Sequence, residues 1–104
     1  MDEFEYINEL LPFYIDLLTD KQQQILKLYY FDNYSLTEIA QDLAISRNGV
    51  YDSLKKSISS IKKYEEKLQL LSNYKKRLEL YDKLRSLANQ QVDEIVNELI
   101  KMED

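Results

Sequence analysis

The side chains that most often carry catalytic chemistry are absent from this sequence. It contains no histidine and no cysteine, so it lacks the commonest general base, the commonest zinc ligand and any thiolate nucleophile. The carboxylate pairs Glu65-Glu66 and Asp93-Glu94 fall among predicted helix-surface residues, without metal-ligand spacing or a glycine-rich phosphate loop. We therefore expect no catalytic residue, no metal site, no bound cofactor and no enzymatic activity.

A different kind of chemistry is indicated by residues 36–54, which have the pattern of a helix-turn-helix. Two short helices can cross closely only if a small residue lies at the crossing and apolar residues fill the corner. These positions are occupied in order by Ala40 at the crossing, Leu43 and Ile45 under the turn, and Val50 and Leu54 on the inner face of the second helix. The spacing predicts that the two helices form this unit.

If the second helix reads a nucleic acid, its exposed face supplies the contacts. Arg47 can bond guanine edges and Asn48 adenine edges, whereas lysines neutralise phosphates. The candidate binding residues are Ser46, Arg47, Asn48, Tyr51, Lys55 and Lys56. The alternative is that these are ordinary solvated helix-face residues, an interpretation that Asp52 on the same face and Gly49, a weak helix former, both favour.

These residues must be positioned by helices, because the chain has few of the residues that form tight turns between β-strands. Its 104 residues include one glycine and one proline, and tight hairpins depend on such residues. The length suits a single domain. We expect an all-α fold: a helix-turn-helix followed by long C-terminal helices.

Apolar residues at steps of three and four place the first helix between Phe4 and Leu18. Pro12 interrupts this pattern, which predicts either a kink or a helix that begins at Pro12. Thr19 or Asp20 is expected to cap a second helix that ends near Asp32-Asn33.

Ser35 and Glu38 have the spacing of a capping box for a third helix, and Ser46 is the expected cap of the fourth. The fourth helix carries an apolar stripe that runs through Leu84, with a hairpin predicted near Ser72-Asn73 and a weak break around Ala88-Asn89. Its apolar positions up to the hairpin are Val50, Leu54, Ile58, Ile61, Tyr64, Leu68 and Leu71.

Two domain-level expectations follow from these patterns. Residues 1–70 form the helix-turn-helix domain, and residues 71–104 form a helical extension that packs on it or on a partner subunit, within one structural unit overall. The stripe over residues 54–84 has steps averaging near those of a coiled coil, so we expect a homodimer. Packing within one chain is the alternative.

The formal charge of −5 is unevenly distributed. Residues 1–54 hold 10 acids and 3 bases, residues 55–87 hold 4 acids and 10 bases, and residues 88–104 hold 5 acids and 1 base. The basic block directly follows the candidate reading helix. With no apolar run near the roughly 20 residues that span a bilayer and an acidic N-terminus, the chain is expected in the cytoplasm, without a membrane span.

Nine of the twelve aromatic residues are tyrosines, which invites a hypothesis of RNA bases stacked on exposed rings. Most of these tyrosines fall on or beside the apolar stripes, where a half-buried ring with its hydroxyl at the edge is normal. We expect core packing for Tyr29, Tyr30, Tyr64, Tyr74 and Tyr81.

Several strings in the sequence are informative when taken together: Leu18-Thr-Asp-Lys-Gln-Gln23, Leu28-Tyr-Tyr30, Asp32-Asn-Tyr-Ser-Leu36, Glu38-Ile-Ala40, Ile45-Ser-Arg47, Val50-Tyr-Asp52 and Tyr64-Glu-Glu-Lys-Leu68. As a set they resemble the YlxM family of helix-turn-helix proteins. The sequence departs from the family's usual pattern at Ala44, where the turn often has glycine, and at Asn48-Gly49, where Gln-Ala is expected.

The resemblance implies a fold like sigma-70 region 4 in the N-terminal part and an association with the bacterial signal recognition particle pathway. The implied role is regulatory or accessory, and the implied partners are the particle's GTPase protein, its receptor or its RNA. Double-stranded DNA is a further possible ligand from the helix-turn-helix pattern. The alternative function is that of a sequence-specific DNA-binding transcriptional regulator.

Overall fold

The computed structural model describes residues 2–87 and 89–103, and within them the chain forms six α-helices and no β-strand. The all-α fold is therefore confirmed. The helices are α1 (Glu3–Tyr14), α2 (Asp20–Leu26), α3 (Leu36–Leu43), α4 (Arg47–Leu68), α5 (Leu70–Ser86) and α6 (Gln90–Lys101). A 3-10 turn (Ile15–Leu17) follows α1, and a π-helical segment (Lys27–Phe31) follows α2. The chain divides between Leu68 and Gln69 into two compact units.

Helix α1 begins at the cap residue Asp2, whose carboxylate accepts the Glu5 N–H at 2.8 Å. The alternative of a helix that starts at Pro12 is wrong, because Pro12 lies in the last turn of α1. A proline near the end of a helix removes only one late hydrogen bond. Buried residues on both sides of it, Leu11 and Tyr14 among them, hold this turn against the core.

The predicted caps of the next two helices are confirmed. Thr19, rather than Asp20, caps α2 in a capping box with Gln22, and Ser35 caps α3 in a capping box with Glu38. The backbone N–H of Ser35 donates to the Glu38 carboxylate, which lowers the pKa of that carboxyl. The π-helical segment that continues α2 ends at Phe31 with Asp32 as its C-terminal cap, close to the helix end predicted near Asp32-Asn33.

The boundary between α4 and α5 differs from the prediction. The helix breaks at Gln69, which has a left-handed φ of 53°, whereas Ser72-Asn73 lie in the first turn of α5. Glutamine has no preference for the left-handed region, so its residue type does not signal a break. The break predicted at Ala88-Asn89 falls partly on Ala88, which is outside the described residues; Asn89 caps α6.

The inner face of α4 is the centre of the N-terminal unit, and it differs in part from the predicted stripe. Val50, Leu54 and Ile61 are buried as expected, but Leu68 is 50% exposed. Ile58 and Tyr64 are only half-buried. The remaining buried positions belong to Ser57, whose hydroxyl donates to the Ser53 carbonyl at 2.8 Å, and to Glu65. Hydrogen bonding lets polar residues occupy positions that apolar periodicity cannot identify.

Glu65 was expected on the helix surface, and that expectation is wrong. Its carboxylate is buried, and the hydroxyl of the fully buried Tyr14 donates to Oε1 at 2.6 Å. The ring of Tyr14 also stacks against Tyr64, with centroids 6.1 Å apart. This hydrogen bond joins the C-terminal half of α4 to the end of α1.

Within the C-terminal unit, α5 and α6 form an antiparallel hairpin. Arg77 is bonded to Glu103 at 2.5 Å, and Arg85 donates to Asn97 at 2.7 Å. The hydrogen bond from Arg77 lowers the pKa of the Glu103 carboxyl. Tyr81 and Val96 are the buried residues of the two helices nearest this seam.

The apolar stripe over residues 54–84, which was expected to form a dimer interface, is largely buried within the chain itself. Leu54, Ile61 and Tyr81 are buried without a second subunit, and the helix that would carry them is interrupted at Gln69. These three residues are therefore not available to a second subunit, and the homodimer stays a prediction.

We predict that Tyr14→Phe lowers the free energy of unfolding by about 1–3 kcal/mol, because it removes a hydrogen bond from a buried carboxylate. Chemical denaturation monitored by circular dichroism measures this change. Tyr6→Phe, at a half-buried tyrosine of the same helix, is the control and should change stability by less than about 0.5 kcal/mol. Equal stabilities of the two variants would contradict a structural role for the Tyr14–Glu65 bond.

Ala44, the C-terminal cap of α3, has a left-handed φ of 55°. We predict that Ala44→Gly stabilises the protein by about 0.5–1 kcal/mol, since relief of the left-handed strain exceeds the added entropy of the unfolded chain. The matched variant Ala40→Gly, inside α3, should destabilise by about 1 kcal/mol. The midpoint temperatures of thermal unfolding should shift up for Ala44→Gly and down for Ala40→Gly. A lower midpoint for Ala44→Gly would refute backbone strain at position 44.

Candidate nucleic-acid interface

Helices α3 and α4 form the predicted helix-turn-helix. Ile39 and Ala40 of α3 are buried, as are Val50 and Leu54 of α4. The Ile45 N–H donates to the Ala40 carbonyl at 3.1 Å and closes the turn. The corner residues Leu43 and Ile45 are half-buried. The small side chain at position 40 thus lies where the two helices approach, as the sequence predicts.

The first turn of α4 is built around Ser46 and Gly49. The Ser46 hydroxyl accepts the Gly49 N–H at 2.9 Å, as expected of the cap. A Cβ atom at position 49 would lie 3.1 Å from that hydroxyl oxygen, a tight contact that glycine avoids. Gly49 therefore leaves room for the cap, and the remaining N–H groups of this turn point towards the helix N-terminus, where anions bind favourably.

The predicted contact residues all lie at the start of α4 and are exposed. They are Ser46, Arg47, Asn48, Tyr51, Lys55 and Lys56. At 1.5 Å per residue this set spans roughly 15 Å of helix, close to the width of a DNA major groove. The structure thus brings the six residues together at the exposed start of a helix whose inner face, with Val50 and Leu54, is buried.

The six residues do not share a single line along the helix. Arg47, Tyr51 and Lys55 follow one another at steps of four residues, whereas Lys56 lies about half a turn around the axis from Arg47. Asp52 is exposed between them, as the sequence predicts. Arg47, Tyr51 and Lys55 can therefore face the base edges in a groove of a nucleic acid. Lys56 is then placed to contact the phosphate backbone at the other side of the groove.

The lysines farther along α4 have a different surrounding. Lys62 forms an ion pair with Glu3 of α1, with Nζ and Oε1 2.7 Å apart. Both side chains are about half exposed or more, so the pair contributes little to stability. It nevertheless places Lys62 at the edge of a groove beside α1.

That groove, of about 680 Å³, was not predicted from the sequence. Its lining includes the aromatic residues Tyr29, Tyr30 and Tyr51, the apolar residues Leu36, Leu54 and Ile58, and the lysines Lys55, Lys62 and Lys63. Tyr29 and Tyr30 belong to the π-helical segment and line the groove together with residues of α4, and no residue pattern announces such a segment. Segments of this type recur at functional sites.

The tyrosines of the groove form a packed aromatic cluster. The rings of Phe4, Tyr29 and Tyr30 contact one another: the Tyr30 centroid lies 4.8 Å from Phe4 and 5.1 Å from Tyr29, and Phe4 and Tyr29 are 6.1 Å apart. Burial, the neighbouring Tyr29 and the Glu3 carboxylate raise the pKa of the Tyr30 hydroxyl to about 12. The expected half-buried packing of Tyr29, Tyr30, Tyr64 and Tyr74 is confirmed, and Tyr81 is buried.

Within the residues that the structure describes, no three acidic side chains come together as a group that could hold a metal ion. Each helix in the same part of the chain is too short or too polar to cross a bilayer.

Comparison with known proteins identifies relatives over most of the chain. A family model described as "Putative helix-turn-helix protein, YlxM / p13 like" matches residues 1–101. The UPF0122 protein YlxM of Bacillus subtilis is 45% identical over 83 residues, which cover 80% of this chain and 76% of that protein. A UPF0122 protein of Pediococcus pentosaceus is 46% identical over 88 residues, covering 85% and 78%. One from Lactococcus lactis is 50% identical over 78 residues, covering 75% and 70%. The chain therefore belongs to the UPF0122 family of YlxM/p13-like helix-turn-helix proteins.

Proposed function

We propose that the chain is a non-enzymatic regulatory protein that binds nucleic acid through the first ten residues of α4 and serves as an accessory of the signal recognition particle pathway. The observation that supports binding is the two-sided character of α4. Val50 and Leu54 anchor its inner face, while Arg47, Asn48 and Tyr51 are exposed on the outer one.

Each exposed residue has a role set by its chemistry. Arg47 bonds a guanine edge in two places and Asn48 an adenine edge, while Lys55 and Lys56 contact phosphates. Ser46 lies at the helix N-terminus, where the N–H groups and the helix dipole attract a phosphate.

The charge distribution sets the kind of binding. The whole chain is acidic, at −5, and Asp52 is exposed on the contact face. Sequence-independent attachment to a polyanion is therefore weak, and contacts made by the start of α4 decide affinity. Binding that depends on specific contacts survives physiological salt better than binding that depends on net charge.

We predict that titration of the purified protein into fluorescently labelled duplex DNA raises the anisotropy at low salt. Arg47→Ala should weaken binding about tenfold or more, and Lys55→Ala should lower the slope of log affinity against log salt by about one. Lys67→Ala, at an exposed lysine in the last turn of α4, is the matched control and should leave both quantities unchanged. Unchanged affinity in Arg47→Ala and Lys55→Ala would refute groove reading by α4.

Duplex binding that persists near physiological salt, and that selects one sequence over others, would support the alternative of a sequence-specific transcriptional regulator. The pathway role rests instead on the resemblance to the YlxM family. Because the helix-turn-helix is also a compact helical scaffold, the same surface can dock a protein or a structured RNA.

For the pathway role we predict that labelled signal recognition particle RNA, or the particle's purified GTPase protein or receptor, binds the immobilised full chain at micromolar concentration. A transfer RNA and an unrelated GTPase provide the controls for charge and fold. Binding to none of the three pathway components, in a preparation whose helicity is confirmed by circular dichroism, would exclude the accessory role and leave DNA binding to be judged on its own titration.

A further inference from the structure

The C-terminal hairpin carries large apolar side chains on its outside. In α5, Leu80 is 56% exposed and Leu84 40%, and Leu87 directly after the helix is 82% exposed. In α6, Ile95 is 59% exposed, and Met102 just beyond the helix is 79% exposed. These residues are distinct from Tyr81 and Val96, which are buried where the two helices meet.

Helix geometry places the exposed residues on one side of the hairpin. At 100° per residue, Leu80, Leu84 and Leu87 lie about 90° around α5 from the buried Tyr81. Ile95 and Met102 lie about 90° around α6 from the buried Val96, in the same rotational sense. Because the two helices are antiparallel, the same sense of rotation leads to the same side. Together the five residues form one surface, called here the outer apolar face.

The contacts between the helices show that this face is continuous. The bonds from Arg77 to Glu103 and from Arg85 to Asn97 set which residues lie at the same height. On that register Leu80 lies level with Met102, and Leu87 lies level with Ile95, with Leu84 between the two levels. The outer apolar face is therefore a strip along the whole seam rather than a set of isolated side chains.

The size of the strip fits an interface between two copies. From their exposed fractions, the five side chains expose roughly 600 Å² per chain, at the upper end for the largest apolar patch of a monomer. Two such faces bury roughly 1,200 Å², which reaches the lower range of stable protein–protein interfaces.

The charges at the edges of the strip indicate how two copies align. On α5 the outer edge carries Lys83, and on α6 the outer edge carries Glu98, each about 160° around its helix from the buried seam residue. Both are exposed, and on the register given by Arg77–Glu103 and Arg85–Asn97 they lie at the same height. One edge of the strip is thus positive where the other is negative.

We propose that the outer apolar face is the interface of a homodimer in which two hairpins form a four-helix bundle. The twofold axis runs parallel to the helices, so that α5 packs antiparallel to α6 of the other copy. This symmetry keeps each residue at its own height and places Lys83 beside the partner's Glu98, and Glu98 beside the partner's Lys83. With a twofold axis perpendicular to the helices, the edge that carries Lys83 would instead face the same edge of the partner, and so would the edge that carries Glu98. Like charges would then meet, which is unfavourable. The inference does not depend on nucleic-acid binding.

Sedimentation equilibrium of the full chain tests the face. The monomer mass is 12.5 kDa, and we expect a mass twice as large at micromolar concentration, falling towards the monomer on dilution. Leu80→Gln/Leu87→Gln should raise the dissociation constant at least a hundredfold while leaving the helical circular dichroism signal intact, because both residues are already exposed. The matched control is Leu17→Gln, at a leucine of the N-terminal unit that is 54% exposed, and it should behave as the unmodified chain.

The proposal would be overturned if the chain still sedimented with the monomer mass at a protein concentration of about 100 μM, where a dimer with a micromolar dissociation constant would be almost fully formed. A dimer that withstands Leu80→Gln/Leu87→Gln would overturn the assignment to this face.

A charge exchange tests the alignment. Lys83→Glu and Glu98→Lys should each weaken the dimer about tenfold, since every substitution creates two like-charge contacts in a twofold assembly. The double variant Lys83→Glu/Glu98→Lys should return the dissociation constant to within about threefold of the unmodified value. If the double variant is weaker than both single variants, the axis parallel to the helices is wrong.

Discussion

The N-terminal unit depends on one constraint, the burial of a single face of α4. Helices α1, α2 and α3 all pack against this face, so its residues serve three contacts at once. Val50 and Leu54 hold the helix-turn-helix, and Ile61 and Glu65 hold the first helix. Because α4 takes part in all three of these contacts, the position of its exposed half is set by the core and not by a loop.

Polar residues are part of this core, and each of them is hydrogen-bonded. Ser57 returns its hydroxyl to the backbone of its own helix, and Glu65 receives the Tyr14 hydroxyl. A buried carboxylate is tolerated only when it is hydrogen-bonded. That requirement gives the contact between α1 and α4 a direction and a register that apolar packing alone would not specify.

The two proposed activities use surfaces of opposite chemistry. The start of α4 is polar, exposed and next to a basic block, which suits an anionic ligand. The outer apolar face of the C-terminal hairpin has the opposite chemistry, and its opposed edge charges suit a second copy. The proposed nucleic-acid contact and the proposed self-association therefore use different residues.

Much of the fold can be predicted from the sequence because its signals are local. Capping boxes at Thr19 and Ser35, the serine cap at Ser46 and the scarcity of glycine and proline each act through near neighbours. The helix-turn-helix spacing is equally local, and by itself it identifies the candidate contact residues at the start of α4. Their role as contacts stays a prediction, since exposure is compatible with a solvated surface.

Other features were decided only when distant segments met. The left-handed Gln69, the groove lined by Tyr29 and Tyr30 and the burial of Glu65 have no signature in residue type or period. The groove joins residues of four helical segments, and Glu65 depends on Tyr14, 51 residues earlier in the chain. Periodicity reports which side of a helix is apolar, but only the tertiary structure decides which polar group finds a buried partner and which apolar residue is left outside.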